Sequence, residues 1–448
     1  MEKFKEPQAL GRQTLTHFMF KPTFKNLNHG SFGTYPKVVR DQIRAYEDLC
    51  EACPDEFIRY TFKKLLDRSR ASMANYLNVP MSEIVFIKSA SAAINIVLRN
   101  MSYGPADVIL YFSTAFDACE NTIFSVAEST SLKYRRIPLT YPTTHGEIVR
   151  RFLETVAVVR NEGLTPRIAL FDTIVSQPGI RFPFEKLIAE CRRHDILSLV
   201  DGAHGVGHIP LDLATLAPDF FVSMAQKWLY NARGCAVFHV PKRNQKLIRT
   251  AMPTSHVFIP SIDVRFSANE ETSSPATNSS FEKMFENVAI TDNMSYLTIP
   301  EALCFRENVL GGEERIFAYL NNIAYRGGSL VAEILDTFLL SDTITGEKGN
   351  NTWNCAFANV RLPITIDGPR SVKHDGKADW PVVSATQANA LVPWFHATLV
   401  EEFSTSLTAF VHDSKLWVRL SGQVYLEMED FDYIGNALKE LCARLGCQ

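Results

Sequence analysis

The chain has 448 residues, enough for one large and one small domain. A hydrophobic content of 46% and a charged content of 21% are ordinary for a globular enzyme, and a net charge of −3 gives no reason to expect nucleic acid or an anionic membrane as a partner. No run reaches the ~18 apolar residues of a membrane span, and the opening MEKFKEPQALGRQ lacks the apolar core and cleavage site of a signal peptide.

Nine scattered cysteines, an odd number, fit free thiols in a reducing compartment and predict a cytoplasmic protein. Cys50 and Cys53 form a CxxC with no second pair or nearby His, so plain helical thiols are expected there and no metal.

In chain order, residues 1–25 read as an arm. Asn28-His29-Gly30-Ser31-Phe32-Gly33 is a glycine-punctuated turn closed by Pro36 at a helix start. Residues 36–78 read as two helices divided at Pro54. A strand at 83–88 runs into Ser89-Ala90-Ser91-Ala92, small residues at a helix N-terminus. Such a terminus either caps itself or cradles a phosphate. Strands at 108–112, 132–137 and 167–172, with a helix near 146–161, keep a β-α-β rhythm. The third of these strands ends on Asp172, followed by Thr173-Ile174-Val175-Ser176.

The stretch 197–238 carries the chemistry. Apolar runs at 196–200, 219–223 and 235–240 read as buried parallel strands, the first ending on Asp201 and the second leading to Lys227. A carboxylate and a lysine just past neighbouring strands meet at the mouth of an α/β sheet, where ligands bind. That pairing suits pyridoxal phosphate, whose aldehyde takes a lysine and whose ring nitrogen takes an acid.

These residues also carry a family resemblance. DGAHGVGHIPLDL (201–213) and SMAQKWLYNARGCAVF (223–238) resemble the cofactor segments of class V aminotransferases, pyridoxal phosphate fold type I. The resembled branch holds isopenicillin N epimerases, cysteine desulfurases, hercynylcysteine sulfoxide lyases and a loline-pathway enzyme. The resemblance implies a large, doubly wound, mainly parallel α/β domain and a smaller α+β C-terminal domain. We place the arm and first helix at 1–50, the cofactor domain at 51–300 and the small domain at 301–448.

By the same resemblance, Lys227 bears the cofactor and later takes the substrate's α-proton, Asp201 pairs with the ring nitrogen, and His204 meets O3′ or orients substrate. Ser91 and Ala92 match the phosphate seat, with Ser223 and Gln226 beside it. Phe116 matches the ring-stacking aromatic, with a core Phe as the competing reading. Asp172 matches a position on the O3′ side. Asn28, His29 and Ser176 match positions near the substrate, although turns and caps use the same residues. Arg419, in WVRLS, matches the arginine that clamps the α-carboxylate; a surface ion pair is the alternative.

Three departures stand out. Gln226 replaces a histidine before the lysine, Met224 an asparagine, and Ile290 the threonine that reaches the neighbouring subunit's phosphate, with Thr291 next to it. The sequence therefore leads us to expect a homodimeric pyridoxal phosphate enzyme with its site near the subunit interface. Its substrate is an α-amino acid, and the departures favour carbon–carbon ring closure in alkaloid-type metabolism. Carbon–sulfur lyase, aminotransferase or epimerase activities are alternatives, as is a binding protein that keeps only the fold. No cysteine sits in a recognisable persulfide-carrying loop.

Overall fold

A computed structural model describes residues 7–255, 258, 279–286, 288–289, 291–340, 355–367 and 380–445. Most of the polar stretch 267–280 and Ile290 lie outside the described residues.

The first helices are α1 (Lys37–Ala52) and α2 (Phe62–Leu77), divided at Pro54 by a short turn. The large sheet then takes β1 (Ile84–Ile87), β2 (Asp107–Phe112), β3 (Lys133–Ile137), β4 (Thr165–Asp172), β5 (Leu197–Asp201), β6 (Phe220–Met224) and β7 (Ala236–His239). Helices α3 (Ala90–Asn100), α4 (Asp117–Ser129), α5 (His145–Asn161) and α6 (Phe184–Arg193) cross over between the strands, and α7 (Ala225–Trp228) is one turn at the end of β6.

The strand order is β1-β7-β6-β5-β4-β2-β3. Five neighbouring strands from β6 to β3 pair in parallel. The run at 235–240 departs from expectation: β7 is antiparallel to both β1 and β6. The eleven residues 225–235 between β6 and β7 are taken up by the α7 turn and the loop through Arg233-Gly234, which leaves no crossover helix to carry the chain back for a parallel strand.

Side chains of each strand alternate between two apolar layers. Val108, Leu110 and Phe112 of β2 face one cluster, and Ile109 and Tyr111 the other. Burial on both faces explains why these strands read as continuous apolar runs. Each such side chain contributes about 1.5–3 kcal/mol.

The chain continues through α8 (Ile299–Asn308) and the long α9 (Glu313–Ile334) to a second sheet. That sheet comprises β8 (Phe357–Asp367), β9 (Val382–Ser384), β10 (Thr408–His412) and β11 (Lys415–Ser421), in the order β9-β8-β11-β10. Helices α10 (Ala385–Phe403) and α11 (Met428–Leu445) complete it. The N-terminal arm is stitched to this part of the chain, with Lys25 and Asn26 pairing in parallel with Thr405 and Ser406. No described helix is long and apolar enough to cross a membrane.

Candidate active site

The carboxyl ends of β4, β5 and β6 converge at the point where such sheets bind ligands. Register places Asp172 of β4 directly beside Asp201 of β5. One strand further, β6 delivers α7, and Lys227 Nζ lies 3.1 Å from His204 Nε2. Two close approaches hold this arrangement. Gly33 has φ +65°, and a Cβ there would lie 1.8 Å from the Gln226 carbonyl oxygen; one at Gly207 (φ +78°) would lie 2.6 Å from the Trp228 backbone. Only glycine lets the N-terminal turn and the 201–208 loop seat against the lysine segment.

Burial pulls Lys227 down to about 8, the Arg419 guanidinium adds to that, and Asp201, Asp172 and Cys119 oppose it. About a tenth of such a lysine is neutral at pH 7, against roughly one part in three thousand at an ordinary pKa of 10.5. The neutral amine is the nucleophilic form.

Burial raises both carboxyl groups, and the neighbouring Asp201 charge raises Asp172 further. Asp201 has compensation that Asp172 lacks. The Ala203 N–H donates to its Oδ1 at 2.9 Å, and the buried Cys119 thiol lies 3.5 Å from its Oδ2. Of the pair, Asp172 therefore holds a proton more readily, and Asp201 keeps the negative charge. Cys119 was not picked out from sequence, where nothing marks it beyond a position just after β2.

At the start of α3, Ser89 caps the helix by accepting the Ala92 N–H at 3.1 Å, and Met224 Sδ takes the Ala90 N–H at 3.0 Å. The capping expected as one alternative is present. The Ser91 hydroxyl takes no partner among the described residues. Gln226 is buried and its Oε1 is unpaired among them. Ser223 is turned away from the mouth: its hydroxyl donates to the Gly202 carbonyl and accepts the Val206 N–H at 2.9 Å, closing the 202–206 turn. Phe116 is 54% exposed before α4, which removes the core alternative and leaves a ring face free. Arg233 donates to the carbonyls of Phe32 and Gly33, at 3.1 and 2.7 Å, and clamps the N-terminal turn. Thr291 is exposed, its hydroxyl on Asn293 at 3.1 Å.

Arg419 on β11 is 1% exposed, so a surface ion pair is excluded. Its Nη1 donates to the Ser176 carbonyl at 2.6 Å and approaches Ser176 Oγ at 3.2 Å. Its Nη2 reaches Ser31 Oγ at 2.9 Å, Thr408 Oγ1 at 3.1 Å and Asn28 Oδ1 at 3.4 Å. The guanidinium stacks on Phe357, 4.4 Å from the ring centroid, and its Nε is buried and unpaired among the described residues. No carboxylate is among these partners, and burial lowers Arg419 to about 10. Asn28, Ser176 and Arg419 are thus brought together. His29 is not: it is sealed among Trp228, Tyr230 and Tyr425, its Nδ1 2.9 Å from the Tyr425 hydroxyl. Burial drives it down to about 3, against the pull of the Lys227 backbone.

Beneath the lysine, Arg306 is fully buried and donates to the carbonyls of Trp228 at 2.7 Å and Gly207 at 3.1 Å, while Glu313 pairs with it. Sequence reading passed over it, since nothing local distinguishes it from other helix arginines.

These groups fit pyridoxal phosphate. A buried, partly neutral amine suits its aldehyde, and Asp201 has acceptor capacity left for a ring N–H. The buried Gln226 Oε1 and the buried hydroxyls of Thr114 and Thr173 lack partners that a polar ligand supplies. Among the described residues no cluster could hold a metal.

Known proteins agree. The family model for aminotransferase class V matches residues 35–273. The L-cysteine desulfhydrase-like protein lolT2 of Epichloe uncinata is 38% identical over 97% of this chain and 94% of its own. Hercynylcysteine sulfoxide lyase of Schizosaccharomyces pombe is 28% identical over 98% of this chain and 99% of its own. Among solved structures, a variant of the lyase C-DES with glycine covalently linked to its PLP cofactor superposes with a TM-score of 0.70 at 17% identity, covering 95% of this chain and 99% of that one. The fold is that of the type I pyridoxal phosphate enzymes, and pyridoxal phosphate is the cofactor. The chain belongs to the class V aminotransferase family.

Proposed function

We propose that the protein is a carbon–sulfur lyase that eliminates a β-sulfur substituent from a cysteine-type α-amino acid. The observation that carries this reading is Arg419, a buried cation held by neutral hydroxyl, amide and carbonyl groups with no carboxylate among its described partners. An α-carboxylate is the ligand that such a fork lacks. Support for sulfur chemistry comes from the desulfhydrase-like relative and the sulfoxide lyase named above.

Bound pyridoxal phosphate withdraws electrons from the Cα of the amino acid joined to it. In this reading Asp201 stays ionised and holds the ring N–H, with Ala203 and Cys119 keeping its carboxylate oriented. Arg419 fixes the carboxylate, which sets the Cα–H bond toward Lys227. Lys227 Nζ takes the Cα proton. The Cβ–S bond breaks with its electron pair on sulfur, which leaves as a thiol, or as a sulfenic acid from a sulfoxide. Water converts the remaining fragment to pyruvate and ammonia. A desulfurase loses support because Cys119 and Cys355 are both buried, and Cys119 points at Asp201 rather than at the carboxylate end.

Carbon–carbon ring closure is the second reading. It is favoured by the altered phosphate seat, where the Met224 thioether takes the Ala90 N–H and Gln226 stands in place of a histidine. In either case we propose a cytoplasmic homodimer with the site near the subunit interface. The exposed Phe32 ring and the absence of a disulfide among the described residues support that setting.

The test is product analysis with cysteine, its S-conjugates and their sulfoxides. Pyruvate and a sulfur product in equal amounts are expected. A product that retains every substrate atom but has one ring more than the substrate, with no pyruvate, would replace elimination by ring closure.

A further inference from the structure

Trp228 follows the lysine, yet its side chain turns back under His204. The indole Nε1–H lies 3.2 Å from His204 Nδ1, and both groups are buried. An indole nitrogen only donates, so His204 Nδ1 is the acceptor. The other ring nitrogen, Nε2, is the one 3.1 Å from Lys227 Nζ. With Nδ1 unprotonated, a neutral His204 carries its proton on Nε2. That proton points at Lys227, and an ammonium has no lone pair to accept it. Both contacts hold together only when the lysine is a free amine.

The surroundings keep the indole in place. His208 stacks on it at 3.7 Å with an interplanar angle of 23°. His208 is itself fixed: its Nε2 accepts the Ala356 N–H at 2.6 Å, so its Nδ1–H donates to the His204 carbonyl at 2.9 Å. The Trp228 carbonyl is tied to Arg306. The His208 tautomer is thus fixed by backbone groups on both sides, while the His204 ring tautomer is set separately by the indole.

We infer that Trp228 is a positioning residue that locks His204 in its Nε2–H form and so shifts Lys227 toward the unprotonated amine that meets the cofactor. The charges facing Lys227 are Arg419, Asp201 and Asp172, with the Cys119 thiol beside them. Those facing His204 are Lys227, Arg419 and His208. The carboxylates favour the ammonium, so the tautomer lock works against them and with Arg419. Burial keeps His204 well below its ordinary value, which excludes the doubly protonated ring.

The inference rests on Lys227 as the cofactor-bearing amine but not on which reaction follows, and its readouts use the full chain freed of cofactor. The first is the pH midpoint for modification of Lys227 by an amine-directed reagent, read on its own peptide by mass spectrometry. Trp228→Phe keeps an aromatic ring and removes the N–H, together with part of the buried indole surface, so folding of the variant is checked first. His204 can then present a bare Nε2 to the ammonium, and the midpoint should rise by about one pH unit or more. An unchanged midpoint in a folded variant overturns the inference. The second readout needs no change at Trp228. Nitrogen NMR of 15N-histidine-labelled protein, with His204→Gln to assign the signal, should show His204 protonated at Nε2 and bare at Nδ1. A proton on Nδ1 overturns it. A lysine that never reacts in either protein would count against Lys227 as the reactive amine instead.

Discussion

Asp172, Asp201 and Lys227 stand at the ends of three neighbouring strands of one sheet, whereas Arg419 meets Asn28, Ser31, Ser176 and Thr408 from separate stretches of chain. The two halves also differ in how they are satisfied. On the cofactor side, Gln226 Oε1 and the Thr173 hydroxyl are buried without partners among the described residues. Around Arg419, the guanidinium has a partner for both terminal nitrogens, and only Nε is left over among the described residues. A site short of partners awaits a ligand that stays. A site already satisfied by neutral groups can release its ligand each turnover, because hydroxyls and amides take the cation back at little cost.

Lys227→Ala should break the cofactor half outright. We expect loss of the yellow lysine-linked cofactor absorbance and a fall in activity of about 10³-fold or more, read by spectrum and turnover. Arg419→Gln should leave that absorbance intact and act on substrate alone. Removing one partner of a buried charge pair costs about 2–5 kcal/mol, which is about 30-fold to a few thousand-fold in kcat/KM. The loss should vanish for an amine analogue without the carboxylate. Equal losses for both compounds would refute the clamp.

The two halves are coupled through charge, since Arg419 helps depress Lys227. The folded lysine titrates near 8, below its ordinary 10.5, so the neutral form dominates above pH 8 and is lost below it. Cofactor loading onto the cofactor-free protein should therefore slow about tenfold per unit below pH 8 and level off above it. In Arg419→Gln the break should move to higher pH. The smallest effect is expected at Ser176→Ala, which removes one hydroxyl at 3.2 Å from Nη1 but keeps the carbonyl at 2.6 Å. A loss of about 0.5–1.5 kcal/mol predicts a few-fold rise in KM with kcat unchanged.

Most of the cofactor half was legible in the sequence. Strands buried on both faces appear as unbroken apolar runs, and Asp201 and Lys227 fall at their ends. The DGAHGVGH loop and the lysine segment bear the family pattern over a short local stretch. What local sequence left open were the alternatives at Phe116 and Arg419, where an exposed ring and a buried guanidinium depend on elements far along the chain.

The sequence by itself determined the fold class and the cofactor, because buried strands, a strand-end carboxylate and a lysine carry the family pattern within a short local stretch. Only the tertiary structure decided the rest. It turned β7 antiparallel, sent the Ser223 hydroxyl into a turn and sealed His29 among aromatic rings. It also brought Cys119 to Asp201, Arg306 to the end of the lysine helix and the Trp228 indole to His204. The physical reason is common to all of these. A buried polar group must find its partner in space, and for these residues that partner lies on another strand, loop or helix, where no local periodicity reports it.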